Sequence, residues 1–313
     1  MANDLCLIPQ TFAGAIAQIQ RMALEAFDHE VVEKQLCYHT RDHITGVQRR
    51  ASQLFQVICP YLPTTDDRDR LELLLDLCAV THDLTQIFVS QEEPHKSRRR
   101  EAGVSETATI EQLLEFIHIL NQYHANDSAH FLDSDLQMIQ ESIAATICDY
   151  DSTEQAIFQP ALYQDDQPIS PIARILALAD IGTLGMEGIA AYNIEGSLLF
   201  LEENPDVRSL ITHHQIASLD TCDPALRENI RQRLLKRTRF QVNLAKSRLK
   251  RSPQEFAAFP PQTIPTLTQE IFRHLTPAVI AEIVSSTPTA EDTTLAVLLN
   301  FFQFGQVLAD LAT

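Results

Sequence analysis

Apolar residues recur every three or four positions along nearly the whole chain, which is the spacing of one buried helix face. A clear example is the segment 40–59, whose apolar positions include Val47, Ala51, Leu54 and Ile58. No convincing run shows the alternation of apolar and polar residues that a half-buried strand requires. The 313 residues include only 8 glycines, and a β-rich or Rossmann-type chain usually needs more for its turns and phosphate loops. We therefore predict an all-α fold.

The chain is strongly acidic, with 42 acidic against 24 basic residues and a formal net charge of −18. Nucleic acids and anionic membranes bind positively charged surfaces, so we expect neither as a partner. The longest apolar stretches, Ile172–Ala179 and Leu295–Phe302, are too short to cross a bilayer. No secretory signal is evident, and the six cysteines form no Cys-x-x-Cys pair. We expect a cytoplasmic protein.

Two segments carry clusters of basic residues. The stretch 91–103 includes Arg98, Arg99 and Arg100, and we predict a mobile polar insertion that could hold a phosphate group. The segment 227–251 has the pattern of an amphipathic helix with ten basic residues and one acidic residue. This helix could dock an anionic partner, but a solvated face paired with the chain's own acids is the favoured interpretation.

Capping residues and prolines divide the chain into successive helices. Thr109 and Gln112 match a capping box, which predicts that a helix begins there. Ser170, followed by a proline, predicts the start of a helix that extends over 172–184. Beyond about residue 195 we expect further helices, broken at prolines that include Pro253.

Ionisable residues interrupt the apolar stripes of three predicted helices. His39 and His43 lie four residues apart, in one column with the apolar stripe of their helix. His82 ends the stripe of the next helix and is followed directly by Asp83. Asp180 lies on the buried side of a later helix. Three helices are therefore expected to direct ionisable groups into the core.

The two carboxylates need compensation, because an unpaired buried carboxylate costs several kcal/mol. One divalent metal ion would satisfy two imidazoles and two carboxylates together. Mixed nitrogen and oxygen ligation fits Mn²⁺, Fe²⁺, Ni²⁺, Zn²⁺ or, less naturally, Mg²⁺. Each piece alone is more often a hydrogen-bonded core residue, but their order and their alignment with apolar stripes favour a metal site.

These residues resemble the signature of the HD superfamily of metal-dependent phosphohydrolases, H…HD…D on an all-α core. Residues 38–47 (Tyr-His-x3-His-x3-Val) look like the first motif of its cyclic-nucleotide phosphodiesterase-like branch. The segments 79–84 and 177–181 match the second and third motifs, and Ala145-Thr146 is similar to a short element between them. The resemblance covers residues 38–185.

The resemblance implies a metal site and a proton donor. The implied metal ligands are His43, His82, Asp83 and Asp180. His39 would be the general acid that protonates the leaving oxygen. The implied reaction is hydrolysis at phosphorus by a water molecule that the metal activates.

Two-metal members of the superfamily use further ligands between the second and third motifs. The candidates here for a second metal, or for its surroundings, are Glu106, His118, His124 and Thr146. Leu-Thr-Gln follows the His-Asp pair at 84–86, where the phosphodiesterases of the family carry further polar ligands. We expect one or two ions, and dinuclear cyclic-nucleotide hydrolysis is disfavoured.

We predict an HD-type metal-dependent phosphohydrolase domain over residues 20–190. A helical region over 191–313 is expected to pack on this domain or to form an oligomer contact, such as that of a homodimer. The expected reaction is hydrolysis of a small phosphate ester, which is a nucleotide or a related phosphomonoester or diester. The alternatives are a catalytically silent metal-containing protein that binds or regulates a partner, and a di-iron oxygenase, which needs more ligands.

Overall fold

The computed structural model describes residues 9–62, 67–90, 93–123, 128–164, 169–216, 219 and 223–310. These residues form an all-α fold with one short β-hairpin, which confirms the predicted fold class. The first helices are α1 (Phe12–Lys34), α2 (Arg41–Ile58), α3 (Arg68–Thr81), α4 (Val104–Tyr123), α5 (Asp133–Ala144), α6 (Pro171–Asp180) and α7 (Thr183–Glu187). The later helices are α8 (Ile189–Glu203), α9 (Pro205–Thr212), α10 (Pro224–Ala257), α11 (Pro277–Ser286), α12 (Leu295–Phe302) and α13 (Phe304–Asp310).

Shorter elements connect these helices. Strands β1 (Asp149–Asp151) and β2 (Ala156–Phe158) pair antiparallel, although the sequence shows no convincing run of strand alternation. Single helical turns lie at Cys59–Tyr61, Pro160–Tyr163, Pro261–Thr263, Ile264–Thr266 and Leu267–Ile271.

The largest apolar core lies among helices α1 to α6. Helix α2 packs against α3 and α6, α1 packs against α3, and α5 packs against α6. Leu54 of α2, Leu77 of α3 and Ile175 of α6 are fully buried there. Phe256 of α10 and Phe272 lie in the same core, so the chain beyond residue 190 contributes to it. The division into 20–190 and 191–313 stays a prediction.

A second core joins the later helices to one another. Phe200 of α8 stacks on Phe302 of α12 and on Phe304 of α13, with ring centroids 5.8 and 5.6 Å apart. Leu234 of α10 is fully buried in the same cluster. The hydroxyl of Ser197 in α8 also donates to the carbonyl of Phe302 at 2.9 Å. These contacts fix α8 against the end of the described chain.

Most helix boundaries that the prolines and capping residues predict are present in the structure. Ser170 caps α6 by accepting the backbone N–H of Ala173, as predicted, but this helix ends at Asp180 and does not continue to residue 184. The break expected at Pro253 is wrong, because this residue lies inside α10. A proline removes the hydrogen bond to the carbonyl four residues earlier. Here the Ser252 hydroxyl donates to that carbonyl, on Leu249, at 3.2 Å.

The capping box predicted at Thr109 is also wrong, because α4 begins at Val104. The Thr109 hydroxyl is buried and accepts the backbone N–H of Thr85 at 3.0 Å. Gln112 accepts the hydroxyl of the same Thr85 at 2.8 Å. The two residues therefore hold the loop that follows His82-Asp83 instead of starting a helix.

The basic segment 227–251 lies on α10, and several of its cations are paired with acids of the same chain. The pairs are Arg231 with Glu228, Arg233 with Asp206, Arg239 with Glu291, Arg248 with Glu255, and Arg251 with Asp151 and Glu154. This pairing supports the interpretation of a charge-compensated face. None of the described helices combines the length and the apolar composition that a membrane span requires.

Gly185 in α7 provides a test of the packing between the two halves of the chain. A Cβ atom at this position would lie 2.6 Å from Phe272 Cδ1 and 3.0 Å from Leu275 Cγ. We expect Gly185→Ala to lower the free energy of unfolding by about 1–3 kcal/mol, because the buried neighbours have to move. Chemical denaturation followed by circular dichroism measures this change.

Gly305 in α13 is the matched control, because a Cβ atom there would meet nothing within 4 Å. We expect Gly305→Ala to leave the free energy of unfolding unchanged or to raise it by about 0.5–1 kcal/mol through helix propensity. Equal destabilisation by the two substitutions would contradict the close contact at Gly185.

Candidate metal centre

Four side chains from the ends of three helices meet at one point. His43 lies in the first turn of α2, His82 and Asp83 follow the last residue of α3, and Asp180 ends α6. One ligand atom of each side chain lies within 4.8 Å of the others. The structure therefore brings together residues that are 137 positions apart in the chain (180 minus 43).

The ligand atoms face one another closely. The Nε2 atoms of His43 and His82 are 3.3 Å apart. Asp83 Oδ2 lies 3.1 Å from the first of these nitrogens and 3.0 Å from the second. Asp180 Oδ1 lies 3.5 and 3.6 Å from the same two atoms. Two imidazole nitrogens and two carboxylate oxygens thus surround one small volume.

The hydrogen bond of the His82 imidazole fits a metal ion. His82 Nδ1 lies 3.0 Å from the carbonyl oxygen of Ala79, which only accepts, so Nδ1 carries the proton. In the neutral ring, Nε2 then presents a lone pair to the cluster. His43 Nδ1 is buried without a hydrogen-bond partner in the described part of the chain. A shared cation would satisfy the facing lone pairs and carboxylates together, so this buried group could hold a metal ion.

The electrostatics of the cluster show the same need for a cation. Burial lowers the pKa of His82, but Asp83 and Asp180 outweigh this effect and raise it well above its usual value. The pKa of His43 is raised by the balance of the same influences. Burial raises the pKa of Asp83, yet the neighbouring histidines hold it well below its ordinary range. Protons therefore compete with a metal ion for the Nε2 atoms of the two histidines.

Two glutamines, which the sequence analysis does not single out as site residues, position the carboxylates. Gln86 is fully buried, and its Nε2 donates to Asp83 Oδ1 at 3.0 Å. Gln159 is also fully buried, and its Nε2 donates to Asp180 Oδ2 at 3.3 Å. Each glutamine binds the carboxylate oxygen that is turned away from the two imidazoles. The ligand oxygens are therefore fixed in orientation by amide donors.

Arg50 of α2 holds the helix that carries Asp180. Its Nε donates to the carbonyl of Ala179 at 2.6 Å, and its Nη1 donates to Glu187 Oε1 at 2.8 Å. The side chain is buried, with 2% of the residue exposed. An arginine in the apolar stripe of α2 is the one signal in the sequence that could have identified this residue.

His39 lies beside the cluster, and a buried glutamate fixes its orientation. Its Nδ1 lies 2.5 Å from Oε1 of Glu202, which is 1% exposed at the end of α8. The second oxygen, Oε2, accepts the backbone N–H groups of Cys37, Tyr38 and His39 at 2.9–3.1 Å. Because Nδ1 faces Glu202, Nε2 faces the cluster, 3.8 Å from Asp83 Oδ2. Only the fold could identify Glu202, which is 163 residues away in sequence.

The other candidates lie outside the four-ligand group. Glu106 is half-buried on α4, where burial and then Asp83 raise its pKa, so it lies near the cluster without joining it. His118 is exposed and lies about 18 Å from Glu106 along the same helix. The Thr146 hydroxyl donates to the carbonyl of Ile143 at 2.8 Å. His124 lies outside the described residues.

The three arginines of the 91–103 insertion have different surroundings. Arg98 binds backbone carbonyls and Arg99 is exposed, so neither lies in the site. Arg100 Nη1 lies 3.0 Å from His39 Nε2 and 2.5 Å from Gln86 Oε1. The described part of this insertion is therefore tied to the helices beneath it.

Comparisons with protein-family models, with curated proteins and with solved structures find no match to this chain. The possible chemistry of the site is therefore inferred from its residues and their distances. The helical fold and its buried His-His-Asp-Asp group are compatible with an HD-type site.

We expect His82→Ala to remove the bound metal, with a loss of affinity larger than the roughly 10–100-fold that outer partners of a ligand cost. Because the two histidines must lose protons to bind a metal, wild-type affinity should fall from about pH 8 to about pH 6. Titration calorimetry with Mn²⁺ or Zn²⁺ and elemental analysis measure both effects. The exposed His118→Ala is the control and should retain its metal. Wild-type metal content in His82→Ala would contradict the site.

Glu202 provides a prediction about stability and pH. Burial raises its pKa, but His39 and Arg100 outweigh this effect and lower it from 4.5 to about 2. A depressed pKa means that the carboxylate stabilises the folded state above about pH 4.5 and that this contribution is lost as the pH falls towards 2. We expect Glu202→Gln to cost on the order of 3 kcal/mol at neutral pH and less in acid.

Urea unfolding at neutral pH and at acidic pH measures this difference. Glu203→Gln is the matched control, because the ion pair of Glu203 within the described part of the chain is a long one, with 3.9 Å between Glu203 Oε2 and Arg237 Nη1. A cost for Glu202→Gln that stays the same at every pH would show that shape, rather than charge, explains it.

Proposed function

We propose that this protein is a metal-dependent phosphohydrolase of the HD superfamily that acts on a small phosphate ester. The observation that carries the proposal is the combination of a four-ligand group with a histidine that points at it from outside. The order of these residues along the chain also matches the H…HD…D signature. A nucleotide or a related phosphomonoester or diester is the substrate class that this chemistry fits.

His43, His82, Asp83 and Asp180 would hold the metal. Their mixed nitrogen and oxygen set suits Mn²⁺, Fe²⁺, Ni²⁺ or Zn²⁺ better than Mg²⁺. When bound, a divalent ion supplies Lewis acidity towards a phosphoryl oxygen and lowers the pKa of water. The amide donors of Gln86 and Gln159 keep the two carboxylates turned towards it.

His39 has the position of a proton donor to the leaving oxygen. Its Nε2 faces the cluster, while Nδ1 is held by Glu202, so the ring cannot turn away. A histidine with one nitrogen anchored to a carboxylate presents its other nitrogen in a fixed direction, which is the geometry that a general acid requires. A metal that served only to stabilise the fold would give no reason for a fifth residue oriented in this way.

We expect His39→Asn to retain the metal and to lose about 10²–10⁴-fold in kcat on an alkyl phosphate ester. The loss should be much smaller on p-nitrophenyl phosphate, because p-nitrophenolate leaves without being protonated. The measurement is a set of steady-state rates with both substrates, alongside metal content. Arg99→Gln, an exposed neighbour of the site, is the control with unchanged rates.

Two outcomes would count against the proposal. A metal-loaded wild-type protein that hydrolyses no phosphomonoester or diester with Mn²⁺, Ni²⁺ or Zn²⁺ would favour the silent binding protein instead. An equal loss on both substrates in His39→Asn would remove the role of proton donor from this residue.

A further inference from the structure

The three consecutive arginines at 98–100 differ in how their guanidinium groups are used. Arg98 has hydrogen bonds from all three of its side-chain nitrogens. Arg99 is exposed. Arg100 bonds through one nitrogen only, and that nitrogen contacts the proposed proton donor. A run that is uniform in sequence is thus divided by the fold into three roles.

Arg98 is an anchor for this part of the chain. Its Nε donates to the carbonyl of Glu202 at 2.5 Å, its Nη1 to the carbonyl of Lys34 at 2.8 Å, and its Nη2 to the carbonyl of Gln35 at 3.5 Å. The guanidinium also lies over the ring of Phe88, 3.9 Å from its centroid. These carbonyls belong to the C-terminal ends of α1 and α8, where a cation is stabilising.

The backbone around Arg98 is fixed as well. Its N–H donates to the carbonyl of Glu203 at 2.8 Å, and the carbonyl of Arg99 accepts the N–H of Val89 at 2.8 Å. The hydroxyl of Ser97 donates to Asn204 Oδ1 at 2.7 Å. The chain is therefore held on both sides immediately before Arg100.

Arg100 places a guanidinium at the edge of the metal centre. Its Nη1 contacts His39 Nε2 and Gln86 Oε1, and Gln86 in turn holds Asp83. Among the described residues, Nε and Nη2 of Arg100 have no hydrogen-bond partner, and the residue is exposed. Three N–H donors of a permanent cation are therefore available to a ligand that reaches His39.

We propose that Arg100 binds the phosphate group of the substrate and that Arg98 positions it to do so. The inference rests on the proposed function and names its substrate class as a phosphomonoester. The fork of Nε and Nη2 matches two oxygens of one phosphate group. A monoester has three non-bridging oxygens, so two can accept from Arg100 while the third stays free for the metal. A diester has only two.

The probe for this inference is inorganic phosphate, titrated calorimetrically into the metal-loaded protein. We expect Arg100→Gln to weaken phosphate binding by about 10- to 100-fold, as the loss of charge-assisted hydrogen bonds predicts. Arg100→Lys should recover part of this loss, because it keeps the charge but not the fork. Arg99→Gln should bind phosphate as the wild type does. Metal content should be equal in all of these variants.

The positioning role of Arg98 is tested by a double-mutant cycle in phosphate affinity, because a general loss of stability would not make the effect of Arg98 depend on Arg100. We expect Arg98→Met to weaken phosphate binding, and the double variant Arg98→Met/Arg100→Gln to bind no more weakly than Arg100→Gln alone. Additive losses in this cycle would overturn the role of Arg98. Wild-type phosphate affinity in Arg100→Gln would overturn the role of Arg100.

The outcomes for this inference and for the proposed function can be told apart. Phosphate binding that depends on Arg100, without hydrolysis of any ester, supports the phosphate site and contradicts the hydrolase. Hydrolysis of a phosphomonoester with an unchanged KM in Arg100→Gln supports the hydrolase and contradicts the phosphate site. A diester hydrolysed in preference to the monoester would overturn the substrate class.

Discussion

The compensation of buried charge at the meeting point of α2, α3 and α6 is the constraint on which the rest of the structure depends. Two imidazoles and two carboxylates share one small volume, and each stands at or beside a helix end. Such a group is unfavourable in an apolar core unless protons or a cation balance it. Packing of the apolar stripes of the three helices brings the ligands together, and the ligands lie where these stripes end.

Buried polar side chains around this group fix the orientation of the ligands and of His39. Gln86 and Gln159 each bind the outer oxygen of one carboxylate, and Arg50 binds the carbonyl of Ala179 at the end of α6. Glu202 orients His39 as an acceptor, because its Oε1 faces Nδ1 of His39 while its Oε2 accepts three backbone N–H groups. The remaining ligand atoms, two imidazole nitrogens and two carboxylate oxygens, therefore face one another, which is the arrangement that a divalent ion requires.

The sequence predicts the helices and the motif residues because both signals are local. The stripe before His82, and the spacing of His39 and His43, can be found within a few turns of helix. The residues that the sequence could not identify act across the fold. Glu202 and Gln159 lie in unrelated segments, and an ordinary glutamate or glutamine has no local pattern that predicts its partner. Their roles follow only from how the helices pack.

The errors in the predicted helix boundaries have similar causes. Thr109 and Gln112 match a helix start, but their side chains have better partners in Thr85, which only the tertiary fold supplies. Pro253 is tolerated inside α10 because the neighbouring Ser252 takes over the carbonyl that the proline leaves free. The same limit applies to 98–100, where three identical residues have different contacts in the folded chain.

The contact between His39 and Glu202 has a consequence for how the protein folds. Its two residues are separated by 163 positions, so the loop between them must close before the histidine is oriented. Helix α8, in turn, is held by the aromatic stack with α12 and α13 near the end of the described chain. Contacts of such long range form slowly compared with helices. We therefore expect His39 to reach its final orientation only after the local helices have formed.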